Sequence, residues 1–162
     1  MLGFEGILIR KFDFLNGFWN GFGVSSNITY SISRMQVPGR PSSQPMTEQT
    51  PLLLNLAIIY EKKGFDSKLA FGYNGSYLTQ LDLAALNGVG LIHKNSDYDI
   101  YMSQYYSLDY QFSYKFRKKY TVYVEGNNLL NSPEEKYVGQ SWRVSSVEYY
   151  RFKAQIGFKL SI

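Results

Sequence analysis

The chain has 162 residues, no cysteine and a formal net charge of +4. That length suits one domain or part of a larger one, and the missing thiols exclude a disulfide framework or thiolate metal site. The mild cationic excess is scattered over turns and polar strand faces, without the basic block that nucleic-acid binding needs.

The elements follow in chain order. Gly3 to Leu15 reads as a strand from β-branched and aromatic content more than from period. Its faces are mixed: Leu8, Phe12 and Phe14 share one with Arg10, and Ile7 and Ile9 share the other with Lys11 and Asp13. After a Gly/Asn turn region at residues 16–21, Phe22, Val24, Ile28, Tyr30 and Ile32 alternate with Gly23, Ser25, Asn27, Thr29, Ser31 and Ser33. A side-chain period of two places these sets on opposite faces of a strand. A proline-bearing loop from Met35 to Thr50 leads to Leu52, Leu54, Leu56, Ile58 and Tyr60, an apolar face whose partner is blurred by Leu53 and Ile59. A tight turn at Lys62-Lys63-Gly64 opens a fourth strand, with Phe65, Leu69, Phe71, Tyr73 and Tyr77 on its apolar side.

A second long loop is expected from Leu81 to Asp99. Tyr106, Leu108, Tyr110, Phe112, Tyr114 and Phe116 then oppose Ser107, Asp109, Gln111, Ser113 and Lys115. The Arg117-Lys118-Lys119 run reads as a solvated hairpin turn into Tyr120, Val122 and Val124. A third long connection runs from Asn131 to Val147. The final strand, Glu148 to Ile162, sets Tyr150, Phe152, Ala154, Ile156, Phe158, Leu160 and Ile162 against Arg151, Lys153, Gln155, Gly157, Lys159 and Ser161.

Seven two-faced strands joined by alternately short and long connections suit an all-β, antiparallel transmembrane β-barrel segment. In such a barrel one face meets lipid, and short periplasmic turns oppose long extracellular loops. No apolar run approaches the ~20 residues of a membrane helix, but a barrel does not need one. The 15 Tyr and 11 Phe fit a membrane interface, where a ring is buried and its polar tip stays wet. Seven strands leave unpaired edges and fall short of the even number of a bacterial barrel, so the chain reads as an incomplete wall. A small porin-like barrel and a soluble β-sandwich binding module are the rival readings.

Three segments carry a resemblance to a known family. Phe12-Asp13-Phe14-Leu15-Asn16-Gly17, followed by Gly21-Phe22-Gly23-Val24-Ser25-Ser26-Asn27-Ile28-Thr29-Tyr30, is the first. The second runs from Asn55 to Ala70, and the third is Tyr123-Val124-Glu125-Gly126-Asn127-Asn128-Leu129-Leu130-Asn131. In this order and spacing they resemble hairpins of the C-terminal barrel portion of TonB-dependent outer-membrane receptors, over essentially residues 1–162. The resemblance implies a 22-stranded barrel in the bacterial outer membrane, enclosing an N-terminal plug. It implies uptake of a scarce nutrient (siderophore, cobalamin or oligosaccharide) driven through TonB. The plug, the TonB-contacting box and a signal peptide would lie N-terminal and are absent from this sequence. The implied partners are outer-membrane lipid, the plug, the rest of the barrel and the barrel-assembly machinery. That machinery would read the alternating C-terminal residues Ile156, Phe158, Leu160 and Ile162, although the family usually ends in an aromatic residue.

No enzyme is expected, and no cofactor. His93 is the lone histidine, a solvated loop residue rather than a metal ligand or triad member. Glu134 and Glu135 are adjacent and should diverge, which argues against a shared acid–base site. The Gly-x-Gly pairs at 21–23 and 88–90 lack the third glycine and helix of a phosphate cradle, and the Asn27-Ile28-Thr29 sequon falls inside a strand. The polar faces would point Asp66, Lys68, Asp109, Lys115, Arg151, Lys153 and Lys159 into the lumen. Loop residues Arg40, Tyr98, Trp142 and Arg143 are the candidates for ligand contact. Strand phase makes one prediction: Phe112→Lys, on the lipid face, should cost about 2–4 kcal/mol and Gln111→Lys much less. Unfolding titrations in a bilayer or micelle measure both, and equal costs would overturn the assigned orientation.

Overall fold

The computed structural model describes residues 1–82 and 96–161. His93 and Ile162 lie outside the described residues. Among the described residues, eleven strands form two antiparallel sheets. The larger contains β1 (Leu2–Lys11), β2 (Phe22–Ile32), β3 (Leu52–Lys62), β4 (Phe65–Asn74), β7 (Tyr105–Phe116), β8 (Tyr120–Asn127) and β11 (Lys153–Leu160), paired in that order. The smaller contains β5 (Tyr77–Gln80), β6 (Ile100–Met102), β9 (Glu134–Val138) and β10 (Val144–Glu148), in the order β10-β9-β6-β5. Neither sheet closes on itself, and β1 and β11 are the edges of the larger.

The seven strands of the larger sheet correspond to the seven alternating segments. Their registers align like with like. Phe158 pairs with Val122, Val122 with Tyr114, and Tyr114 with Phe65. Two residues higher, Ile156, Val124 and Phe112 are successive partners. Above them Tyr110, Leu69, Ile58 and Val24 form another row. The opposite face carries Gln155, Glu125, Gln111 and Lys68 across four strands, and Asp109 pairs with Ala70. A pleated strand must put its alternate residues on opposite faces, so in-register pairing gathers the apolar sets on one face and, from β4 to β11, the polar sets on the other, while Ile7, Ile9, Leu53 and Ile59 intrude on the polar-phase face at the β1–β3 side. The polar face holds a trough of about 230 Å³ lined by Ser25, Asn27, Asn55, Lys68, Ser107 and Asp109.

The apolar face is uncovered. Ile58 is 48% exposed, Phe158 58% and Ile156 81%. Among the described residues the only buried hydrophobic side chains are Ala57, Leu78 and Leu81. No helix among them is long and apolar enough to cross a membrane, which says nothing of crossing by strands.

Three expectations about boundaries change. The first strand stops at Lys11 rather than Leu15, because Phe12–Leu15 turn back, with the Leu15 N–H donating to the Phe12 carbonyl at 3.0 Å. The fourth ends at Asn74, and Tyr77 belongs to β5 in the other sheet. The final strand begins at Lys153 rather than Glu148. Arg151 has φ +56°, a left-handed conformation that cannot continue a pleat, and Glu148 closes β10 instead. The third long connection also contains structure that its composition hid, β9 and β10, while β5 and β6 flank the expected second loop on either side; these strands are only 3–5 residues long, too short for alternation to announce.

The short turns all lie at one end of the larger sheet. Lys63 (φ +50°) and Gly64 (φ +87°) make the two-residue β3–β4 turn, the left-handed pair that matches the twist of a hairpin. A Cβ on Gly64 would meet the Lys115 carbonyl oxygen at 2.4 Å, and the Gly64 carbonyl accepts from the Lys115 N–H at 2.8 Å. Gly64→Ala should therefore destabilise the sheet by about 1–3 kcal/mol. Lys63→Gly, at a position any side chain disfavours, should be neutral or stabilising by up to about 1 kcal/mol. Denaturant titration of the folded protein checks the opposite signs.

Candidate functional site

The three long connections meet at the other end of the larger sheet, and the smaller sheet stands there. The connection from β2 to β3 runs through residues 33–51, and its residue Arg40 is buried. Its guanidinium forks onto Asp99: Nη1 donates to Oδ2 at 3.1 Å and Nη2 to Oδ1 at 2.5 Å, with the two side chains 2% and 0% exposed. A planar fork on a carboxylate is the strongest geometry an ion pair can adopt. Asp99 Oδ1 also accepts from the Asp82 N–H at 2.8 Å, and the Asp99 carbonyl accepts from the Gly139 N–H at 2.8 Å. One aspartate thus ties together the β2–β3, β4–β7 and β8–β11 connections.

Gly139 makes this close approach possible. It has φ +67°, and a Cβ there would lie 2.3 Å from the Asp97 carbonyl oxygen. Arg143 returns from the β9–β10 turn, donating from Nη1 to that same carbonyl at 2.8 Å. Its guanidinium carbon sits 5.3 Å from the centroid of the Tyr98 ring, within cation–π range. Trp142, beside it, is 78% exposed.

The structure thus gathers Arg40, Tyr98 and Arg143 around residues 97–99 but gives them unlike situations. Arg40 is enclosed and occupied by Asp99, Arg143 and Tyr98 form a half-open pair, and Trp142 projects into solvent. Asp99, which no sequence motif marks as the partner of a residue 59 positions earlier, organises the group.

A cavity of about 490 Å³ opens beside the smaller sheet, lined by Ser76, Ser103, Gln104, Tyr106, Ser132 and Glu135 among others. The Ser103 hydroxyl donates to Glu135 Oε1 at 2.9 Å, and the Ser76 hydroxyl donates to the Met102 carbonyl at 2.8 Å. Hydroxyls, an amide and one carboxylate around a tyrosine ring can hydrogen-bond a polar solute and stack against it. A neighbouring recess of about 250 Å³ is more apolar, with Ile32, Pro45, Pro51, Leu78, Tyr101 and Tyr137 in its wall. The Tyr101 and Tyr137 rings stack there, 5.3 Å apart and 9° from parallel.

Burial first, and then the carboxylates of Glu48 and Glu134, hold the Tyr77 phenol protonated beyond the usual tyrosine range. Tyr150 is held the same way by its hydrogen bond to Glu148, 2.8 Å long. Glu134 and Glu135 diverge as adjacent strand residues must: Glu135 takes the Ser103 hydroxyl while Glu134 pairs in register with Glu148. Among the described residues no group of three or more metal-ligating side chains assembles. At the other end, Ile156, Phe158 and Leu160 share the apolar face of the edge strand β11.

Comparison of the chain with protein-family models, with curated proteins and with solved structures gives no match.

Removing one partner of the enclosed ion pair leaves a buried charge without its counterion. Arg40→Ala or Asp99→Ala should cost about 3–5 kcal/mol, and replacing both by apolar residues of similar volume much less. Hydrogen exchange read peptide by peptide should place the loss in the three connections, with β2, β3 and β8 still protected.

Proposed function

We propose that the chain is a wall and loop-bearing segment of a bacterial outer-membrane β-barrel, the C-terminal part of a TonB-dependent receptor for a scarce nutrient such as a siderophore, cobalamin or an oligosaccharide. One observation carries the membrane reading: seven in-register strands present a continuous, uncovered apolar face on one side, and from β4 to β11 a polar one on the other. In water such a face would cost on the order of 25 cal/mol for each Å² of apolar surface left exposed, whereas against lipid it costs nothing. The strands run to 10, 11, 11, 10, 12, 8 and 8 residues, close to the 9–11 that cross a bilayer at a tilt. A soluble sandwich would instead lay a second layer over this face.

The receptor part of the reading rests on the three motif segments, and on the loop end. There, the β4–β7 and β8–β11 connections line a hydroxyl-rich cavity, while the polar face below offers Lys68 and Asp109 to whatever fills the lumen. The chain performs no chemistry in this reading. It contributes wall, lumen lining and part of the outer vestibule, and transport is the gating of a plug supplied by other residues.

Two measurements test it. The chain should remain monodisperse only in detergent or lipid; a monodisperse, folded chain in plain buffer would favour the sandwich. The genomic DNA should continue in frame upstream of Met1 into a plug-like domain and a signal peptide; a stop codon directly before Met1 would overturn the receptor assignment and leave the lipid-facing sheet standing.

A further inference from the structure

The net positive charge of the chain is concentrated at one end of the larger sheet. The short-turn end carries Lys62, Lys63, Arg117, Lys118, Lys119 and Lys159 against the carboxylates Asp13, Glu61 and Asp66. Glu61 already pairs with Lys11 at 3.0 Å, and its cross-strand partner Asp66 lies on the polar face. At the opposite end Arg40 is neutralised by Asp99, and Lys136 and Arg143 lie among Asp97, Glu134, Glu135 and Glu148.

The cations of the two tight turns are also oddly placed. Lys63, Arg117 and Lys118 have φ of +50°, +49° and +61°, where glycine or asparagine would sit without strain. With Lys119 they are exposed, and among the described residues none of the four has a carboxylate partner or a side-chain hydrogen bond. Four unneutralised cations, three in a disfavoured backbone, are not what hairpin stability alone selects.

Directly above them runs a band of rings. Phe18, Trp19, Phe22 and Tyr60 touch with centroids 4.8–5.8 Å apart. Across the sheet Phe65, Tyr114, Phe116, Tyr120 and Phe158 continue it in pairs 4.3–6.1 Å apart. Phe18, Trp19 and Phe158 are each about 60% exposed. Four rings of the band, Trp19, Tyr60, Tyr114 and Tyr120, are amphipathic, the type that sits at the boundary between acyl chains and headgroups, and the phenylalanines pack between them, so the turn cations project to the depth of the phosphates.

We propose that this end of the sheet is a binding surface for anionic phospholipid headgroups, with Lys63, Arg117, Lys118 and Lys119 engaging their phosphates below the aromatic band. The proposal rests on the lipid-facing reading of the apolar face and adds the lipid class and the leaflet: the one on the side of the short turns. Ammonium and guanidinium groups at that depth gain affinity from the negative surface potential of the leaflet, and the gain falls with salt.

The test is flotation of the full chain with two kinds of vesicle, phosphatidylcholine alone and phosphatidylcholine mixed equally with phosphatidylglycerol. The wild-type chain should prefer the anionic vesicles by on the order of tenfold or more at low salt. The variant Lys63→Gln/Arg117→Gln/Lys118→Gln/Lys119→Gln should lose that preference while binding neutral vesicles as before. A control that removes equal charge elsewhere, Arg34→Gln/Lys136→Gln/Arg151→Gln/Lys153→Gln, should keep it. Equal affinity of the wild-type chain for both vesicles, a preference that survives the turn variant, or one abolished equally by the control would each overturn the proposal. Binding to neither vesicle would instead overturn the lipid-facing reading beneath it.

Discussion

Register is the constraint on which the rest of this structure depends. A strand slipped by one residue would carry its whole apolar set through to the other side of the sheet. Here six successive pairings all keep phase, so that Val122 meets Tyr114 and Phe158, and Gln111 meets Glu125 and Lys68. From β4 to β11 the faces stay chemically distinct because of that phase, and every larger feature inherits it: the bare apolar face, the polar trough, and the level band of rings at the short-turn end.

Much of the larger sheet was legible because period two is a strong signal when it lasts eight residues or more. The strand from Tyr105 to Phe116 alternates throughout and lies where the alternation puts it. Errors appeared where backbone conformation interrupts a pattern that the side chains continue. Tyr150 and Phe152 alternate in phase with Ile156, yet Arg151 turns left-handed and removes them from the strand. The first strand was the hardest to read for a different reason. Ile7 and Ile9 are both largely exposed on its polar-phase face, so that both faces of this edge are apolar.

The loop end was much less legible. Strands of three to five residues carry too few positions to show a period, so the smaller sheet left no trace in the pattern. Arg40 stood out as a cation in a proline-bearing loop, but a contact between residues 40 and 99 is set by how two long connections fold over each other. Its consequence is a common fastening: the fork from Arg40 and the bonds from the Asp82 and Gly139 N–H groups all end on Asp99. The three connections therefore share one fastening point rather than lying as separate flaps. Tyr98, Trp142 and Arg143 lie on the connections it joins.

The order of the larger sheet carries a last consequence, one of parity. Neighbouring strands run in opposite directions, so with seven in line the first and the last run the same way. Bringing β11 round to β1 would create a parallel seam in an otherwise antiparallel wall. A uniform closure therefore demands an odd number of additional strands between these two edges, and they must begin and end antiparallel to both. The two open edges thus fix the direction that any added strand would have to take at each.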